Sequence, residues 1–397
     1  MIDSKRSSTL VRKCACCAGE DINLIWDLPK LPLTGIYFDD KSDPNFEYLH
    51  DQQLAFCNQC THMQLNKIVD PTLLYHETYT HRTSTSNISR SGNDFLLNLI
   101  LNKKFKDKNQ ILEIGCNDTY LLSNLRDITV NRAGMDPIFD EAKVKIDEGL
   151  YVHGGFAETF DYGKLVEGPV DLVISAHTFE HVVDPIMSLQ NLSTVLGEKV
   201  DFIIEVPSSL RMIEQLRLDQ VFSQHINYYS PESLSRLMSK LDLSLVDINY
   251  NYSYWGGTQI LHFSNYIRPT VKPPIFDLSL EKVKRSIKLF VSEKEKLIFR
   301  LENSPGRVFA YGAAQMLPIL QYHFSDSFKK LEEIFDDNPD RIGKYFPGDD
   351  RKIKSFIDFE FEPNDTVVIT ALDSTKPLVR NLLGRNINLI IIPLGNV

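Results

Sequence analysis

No run of about 20 apolar residues occurs in the chain, which leaves no stretch long enough to cross a bilayer as a helix. Residues 1–12 likewise lack the continuous apolar core of a signal peptide. A cytoplasmic protein without a membrane partner is expected. A surplus of basic residues is missing too, since 43 Lys and Arg stand against 53 Asp and Glu for a formal charge of −10. Without a positive field along the chain a polyanion is not attracted, which argues against a dedicated nucleic-acid role, and a small or locally recognised substrate fits better. The sequence shows no internal repeat of fixed period and no low-complexity tract.

Cysteine is scarce, and its placement is informative. Five of the six fall within the first 60 residues, and four of those form Cys14-x-x-Cys17 and Cys57-x-x-Cys60. A secreted disulfide framework would spread them along the chain, whereas paired knuckles point to metal. The two-residue gap lets the backbone turn around one ion, so Cys14, Cys17, Cys57 and Cys60 are the expected ligands of a structural Zn2+. Four thiolates leave no open position, and such an ion contributes about 10 kcal/mol or more to folding. The roughly 40 residues between the knuckles exceed the usual ribbon spacing. An excursion is implied, placed in Leu31-Pro-Leu-Thr-Gly35 and the segment after it. Cys16 is a spare thiol with poorer spacing.

With 43% hydrophobic and 24% charged residues in 397, the chain can bury more than one core, and two or three domains are expected. Residues 1–75 read as a loop-rich ribbon. In residues 76–268 short apolar runs alternate with helix-like segments, the pattern of a parallel sheet covered by helices. Its clearest strands are Ile111-Leu-Glu-Ile, Asp171-Leu-Val-Ile-Ser and Asp201-Phe-Ile-Ile-Glu-Val. Residues 268–274, with three prolines, read as a linker. Residues 269–397 hold a long charged helix, roughly 277–303, and a second α/β unit with strands near 307–312, 331–337, 366–370 and 389–393.

Ile111-Leu-Glu-Ile-Gly-Cys-Asn-Asp-Thr-Tyr-Leu-Leu122 is a strand, a turn at Gly115 and a helix start, where an α/β fold brings backbone close to a ligand. Asp136 stands about 20 residues on, at the expected end of the next strand, where a carboxylate accepts ribose hydroxyls. Asp171-Leu-Val-Ile-Ser-Ala-His-Thr-Phe-Glu-His181 then runs a strand into a loop with His177 and His181, at least one of which should face the site. For either histidine alone, a core or capping role is the ordinary alternative.

The Glu-Ile-Gly-x-Asn-Asp run, the His-x-x-x-His loop and Glu205-Val-Pro resemble a class I S-adenosylmethionine-dependent methyltransferase. The whole chain resembles the three-domain sugar C-methyltransferases of deoxysugar biosynthesis. The resemblance implies an α/β protein: a class I methyltransferase Rossmann-like domain flanked by an N-terminal zinc-ribbon-like domain and a C-terminal Rossmann-like α/β domain. It implies that Glu113, Gly115 and Asn117, with Cys116 between them and His177 opposite, line the methionine side of the cofactor, and Asp136 its ribose. Thr119 stands where the family has glycine.

Leu218-Asp-Gln-Val-Phe-Ser-Gln-His-Ile-Asn-Tyr-Tyr-Ser230 resembles the family's Phe-Asp-x-Ile-Tyr-His-Glu-His-x-x-Tyr-Phe-Ser. Ser230 and Pro231 should cap and start the next helix, leaving His225 in the loop before it. C-methylation takes a proton from the carbon beside a ketone, and the enolate then attacks the sulfonium methyl. A neutral imidazole suits that task, which makes His225 the expected base. Gln224 is its neighbour, and His181, Tyr79, His81 and Ser84 are candidate polar partners of the substrate. Phe222 replaces a tyrosine, Gln224 a glutamate, His81 a tyrosine and His177 an asparagine, so the polar network is rebuilt. Loss of the carboxylate at Gln224 also removes a neighbour that would raise the basicity of His225.

In the C-terminal part, Val308-Phe-Ala-Tyr-Gly-Ala-Ala-Gln-Met-Leu317 resembles the family's turn at nucleotide-sugar phosphates. Gly312 is kept and Met316 replaces a lysine. Asp336-Asp-Asn-Pro-Asp-Arg-Ile-Gly343 matches a later family segment. The resemblance thus implies a nucleotide-linked keto sugar as substrate, in a monomer or weak dimer. Two other readings stand beside it: methylation of an oxygen, a nitrogen or another carbon of a different metabolite, and a non-catalytic zinc-ribbon scaffold.

Overall fold

The computed structural model describes residues 8–41, 46–70, 83–103, 105, 108–267 and 278–394. Tyr79, His81, the boundary near residue 75 and the linker expected at 268–274 lie outside the described residues.

The N-terminal part is richer in strand than its loop-like sequence suggests. Ile22–Pro32 and Leu49–Cys57 pair as a long antiparallel hairpin, and Met63–Leu65 adds a third strand. The alternation is concealed because polar His50 and Gln52 share the buried side with Leu54 and Phe56. The fourth strand of this sheet is Asn227–Tyr228, from the middle of the chain, paired antiparallel to Met63 and Gln64.

The middle sheet has eight strands in the order 244–251, 258–264, 196–207, 170–176, 111–114, 132–135, 150–153 and 144–147. Its five central members run parallel, and Thr258–Ser264 is reversed against its neighbours on both sides. All three strands expected from sequence are present, as Ile111–Ile114, Val170–Ala176 and Leu196–Pro207. Alternate residues enter opposite cores, as side chains two apart must. Leu112, Val173, Phe202 and Ile204 pack on one face, while Ile111, Leu172, Ile174 and Ile203 pack on the other beneath Leu96 and Ile100 of the helix Asn87–Asn102. Strand order reverses between 111–114 and 170–176, and ligands bind at the carboxyl ends of such a switch point.

The C-terminal sheet is five parallel strands in the order 353–355, 331–336, 308–311, 366–369 and 389–391. The long charged helix is Leu280–Glu302, capped by the Ser279 side chain on the amide of Lys282. One hydrophobic core joins the three parts. Leu54, Phe56 and Met63 of the N-terminal sheet meet Met212, Leu218 and Phe222 of the middle, together with Phe290 and Ile319 of the C-terminal part. Arg217 strengthens this joint, forked onto Asp219 and reaching Asp373 at 3.4 Å.

Candidate active site and metal centre

The four knuckle cysteines converge with every sulfur within 4.8 Å of the others. Cys14 and Cys60 sulfurs are 3.5 Å apart, and those of Cys17 and Cys57 are 3.6 Å apart. A tetrahedral zinc–thiolate site with bonds of about 2.3 Å has edges of about 3.8 Å, so the spacing fits the ion. Cys16, fully buried, is not in this set. The excursion between the knuckles runs from the end of the hairpin strand and crosses to the C-terminal part. There Phe38 bridges Tyr345, and the Tyr37 hydroxyl donates to the carbonyl of Ala313 at 3.0 Å.

At the switch point the chain leaves Ile114 through Gly115 with φ +76°, and a Cβ there would lie 1.9 Å from Thr178 Oγ1. Only glycine lets the two strand ends approach so closely. Asn117 and Thr119 follow with φ of +44° and +63°. Thr119 therefore holds a left-handed backbone despite its branched side chain. The Asn117 amide donates to Asp136 Oδ2 at 2.9 Å, and the amide of Ile138 donates to Oδ1 at 3.1 Å. These contacts fix the carboxylate expected to meet the ribose.

Glu113 is buried, and among the described residues its Oε2 accepts no hydrogen bond. Burial first, then the charges of Asp136 and Asp118, push its carboxyl well above the usual range. A group carrying positive charge would relieve that site. Cys116 offers backbone only, because its thiol packs inward against Gly134. Ser84 and Thr83 are drawn to the turn by their amides, which donate to Asp118 Oδ2 at 2.8 Å and Asn117 Oδ1 at 3.1 Å.

The two histidines after the adjacent strand diverge. His177 turns toward carboxylates, with Nδ1 3.2 Å from Glu180 Oε1 and Nε2 3.9 Å from Glu205 Oε1, and its ring meets Tyr254 edge-on at 4.8 Å. Burial disfavours its charge, but Tyr254, Glu180 and Glu205 outweigh this and raise its pKa well above the ordinary value. His181 faces His225 with ring centroids 4.9 Å apart, and its Nδ1–H donates to the carbonyl of Gln224 at 2.7 Å.

His225 lies where the sequence puts it, in the loop before the helix Pro231–Met238, whose N-cap is Ser230 in a capping box with Ser233. The loop is held from two sides. The amide of Ile226 donates to Glu180 O while its carbonyl accepts from the amide of Leu65, and Asn227 bonds Val182 O and His62. Around the His225 imidazole stand Phe222 at 4.2 Å and Trp255 at 5.5 Å. Burial, and then His181 and His177, lower its pKa well below the ordinary value, so the ring is neutral. Gln224 does not join this group. Its amide donates to Thr34 O at 2.7 Å and its oxygen accepts from Thr34 Oγ1 at 2.9 Å, which ties the loop to the excursion of the N-terminal part.

Sequence reasoning passed over Glu180, although it lies inside the quoted run between the two histidines. Nothing in a lone glutamate there signals a buried carboxylate. Thr178, Thr34 and Trp255 were missed for a similar reason, since each matters only through a distant partner. A cavity of about 190 Å3 lies at the amino ends of the central strands, between Asn109, Asn131 and Lys143, away from these groups.

The fold and site define a methyltransferase-type α/β unit behind a cysteine-cluster module, and comparison with known proteins agrees. Residues 86–248 match the family described as "Methyltransferase domain", and residues 14–75 match the family described as "Putative zinc binding domain". The first match covers most of the strands of the middle sheet, and the second begins at Cys14 and takes in all four clustered cysteines. Among curated relatives, the C-methyltransferase NovU of Streptomyces niveus is 24% identical over 281 residues, covering 70% of this chain. The match spans 66% of that relative's own length. Among solved structures, the N-methyltransferase NodS of Bradyrhizobium japonicum WM9 with S-adenosyl-L-homocysteine aligns at 12% identity, covering 46% of this chain and 89% of its own, with a TM-score of 0.34. Magnesium protoporphyrin IX methyltransferase of Synechocystis PCC 6803 aligns at 10% identity, 45% and 84% coverage and a TM-score of 0.34.

Proposed function

We propose that the protein is an S-adenosylmethionine-dependent C-methyltransferase acting on a keto sugar carried on a nucleotide. The observation that carries this reading is the convergence of Glu113, Gly115 and Asp136 at the switch point of a matched methyltransferase domain. The cofactor, when bound, supplies an electrophilic methyl group on a sulfonium. Glu113 would meet its cationic methionine end, which the unpaired Oε2 and the neighbouring carboxylates favour. Asp136, already oriented by two amides, would accept from the ribose hydroxyls.

His225 takes the proton from the carbon beside the substrate ketone. Phe222 and Trp255 exclude water around it, and His181 stands in reach to hold a polar group of the substrate. Tyr79 and His81 are proposed as further substrate contacts, and His177 as a contact to the cofactor. The nucleotide is assigned to the C-terminal sheet. Gly312, φ +109°, occupies the switch between 308–311 and 366–369, and its carbonyl accepts from Thr370 Oγ1 at 2.8 Å.

Incubation with labelled cofactor and a panel of 4-keto nucleotide sugars tests the reading. Label is expected on a sugar carbon, and cofactor binding without transfer to any member counts against it. One observation favours a second reading, methylation at oxygen or nitrogen. Gln224 is tied to Thr34 and Phe222 is apolar, so neither strengthens His225 as a base. Full turnover by His225→Ala would favour that reading, since such acceptors need less help in losing a proton.

A further inference from the structure

The compartment beside the Gly115 turn holds more donor and acceptor chemistry than one proton transfer uses, and Glu180 is the group left over. It is 1% exposed, its Oε1 lies 3.2 Å from His177 Nδ1, and among the described residues its Oε2 accepts no hydrogen bond. Buried acceptors are ordinarily paired, and one that is not calls for an explanation. One ligand atom from each of Glu180, His181 and His225 lies within 4.8 Å of the other two. His181 is also oriented as metal-binding imidazoles are. Its Nδ1–H is donated to the Gln224 carbonyl at 2.7 Å, which places the ring's lone pair on Nε2.

We propose that Glu180, His181 and His225 form a second metal site, distinct from the four-cysteine cluster, that takes a divalent transition ion of the zinc type. Two imidazoles and one carboxylate are a donor set for zinc or ferrous iron, whereas magnesium and calcium prefer oxygen alone. Three protein ligands leave one of four positions open. Bonds of about 2.0–2.2 Å bring donor atoms to about 3.4 Å from one another. Glu180, whose Oε2 accepts no hydrogen bond among the described residues, supplies that contraction by side-chain rotation.

The site has a consequence for catalysis. A metal-bound imidazole has given up one lone pair and carries its proton on the other nitrogen, so it is no longer a base. Metal occupancy and proton abstraction by His225 therefore exclude each other. This consequence rests on the reading of His225 as the base, whereas the site does not.

The test uses the full-length chain, equilibrated with excess zinc, freed of unbound ion and analysed for metal content. Two ions per chain are expected in the wild type, and one in Glu180→Gln and His181→Gln. Cobalt substitution separates the sites, because only the cysteine cluster gives a sulfur-to-cobalt charge-transfer band. The second ion should add sulfur-free bands, with affinity at least about tenfold weaker in Glu180→Gln. A retained charge-transfer band shows that a variant is folded, and the wild-type count decides alone if one is not. A single ion per chain at saturating zinc overturns the site, as does equal second-ion affinity in wild type and both variants. Methyl transfer should fall as the second ion binds and recover when a weak chelator removes it. Unchanged turnover with two ions bound leaves the site standing and removes His225 from the role of base.

Discussion

Two residues of the Gly115 turn carry opposite expectations although both have positive φ. At Gly115 a methyl group meets both a backbone strained for any L-residue and the Thr178 side chain at 1.9 Å. Gly115→Ala should cost about 1–3 kcal/mol of stability and abolish S-adenosylmethionine binding in a calorimetric titration; normal affinity would show that the cofactor lies elsewhere. At Thr119 the strain is already present, since threonine sits at φ +63°. Thr119→Gly should hold stability or raise it by up to about 1 kcal/mol, where glycine inside a helix would lower it by a similar amount. A clear loss in urea unfolding would show that the Thr119 hydroxyl contact to Ser123 outweighs the strain. The turn at Gly115 and the place of Asp136 after the next strand were legible in the sequence because strand–turn–helix patterns are local. Glu180 and Thr34 were not, because their importance comes from partners far along the chain.

Among the elements, the strand Leu196–Pro207 is pinned by charge near its buried start. Asp201 is fully buried, with Lys108 Nζ and His262 Nε2 each at 2.7 Å and the Tyr266 hydroxyl also donating to it. Burial alone would raise its carboxyl, but those three donors prevail and bring the pKa down to about 2. A carboxylate depressed in this way stabilises the fold above the unfolded value of about 4, and that contribution is lost as pH falls through about 2. Asp201→Asn should cost about 3–5 kcal/mol at neutral pH, because the buried Lys108 loses its counter-charge. It should also flatten the stability profile between about pH 4 and 2. Urea unfolding across that range checks both, and an unchanged acid limb would assign it to other carboxylates. The same strand shows what was readable. Continuous apolar runs gave the central strands, since both faces of that sheet are buried, whereas the N-terminal hairpin hid its alternation behind His50 and Gln52.

For the whole molecule, the segment that follows His225 and the strands beside the cysteine cluster are parts of one sheet. Asn227–Tyr228 pairs with Met63 and Gln64, a few residues past Cys60. Loss of the ion from the cysteines should therefore reach His225 without any cysteine touching the site. Cys57→Ser is expected to lower zinc content, reduce the unfolding temperature and diminish methyl transfer in proportion to the metal lost. Full turnover by metal-free protein would separate the two. No sequence pattern discloses this joint, because a two-residue strand has no period and its partner lies about 160 residues earlier.

That borrowed strand also sets an order for folding on the ribosome. Residues 63–65 leave the exit tunnel with one side of their backbone unpaired, and the segment that covers them is translated roughly 8–30 s later at about 5–20 residues per second. Throughout that wait the nascent ribbon presents an open edge on which a neighbouring chain could polymerise. That edge closes only when Asn227 and Tyr228 arrive to pair with it.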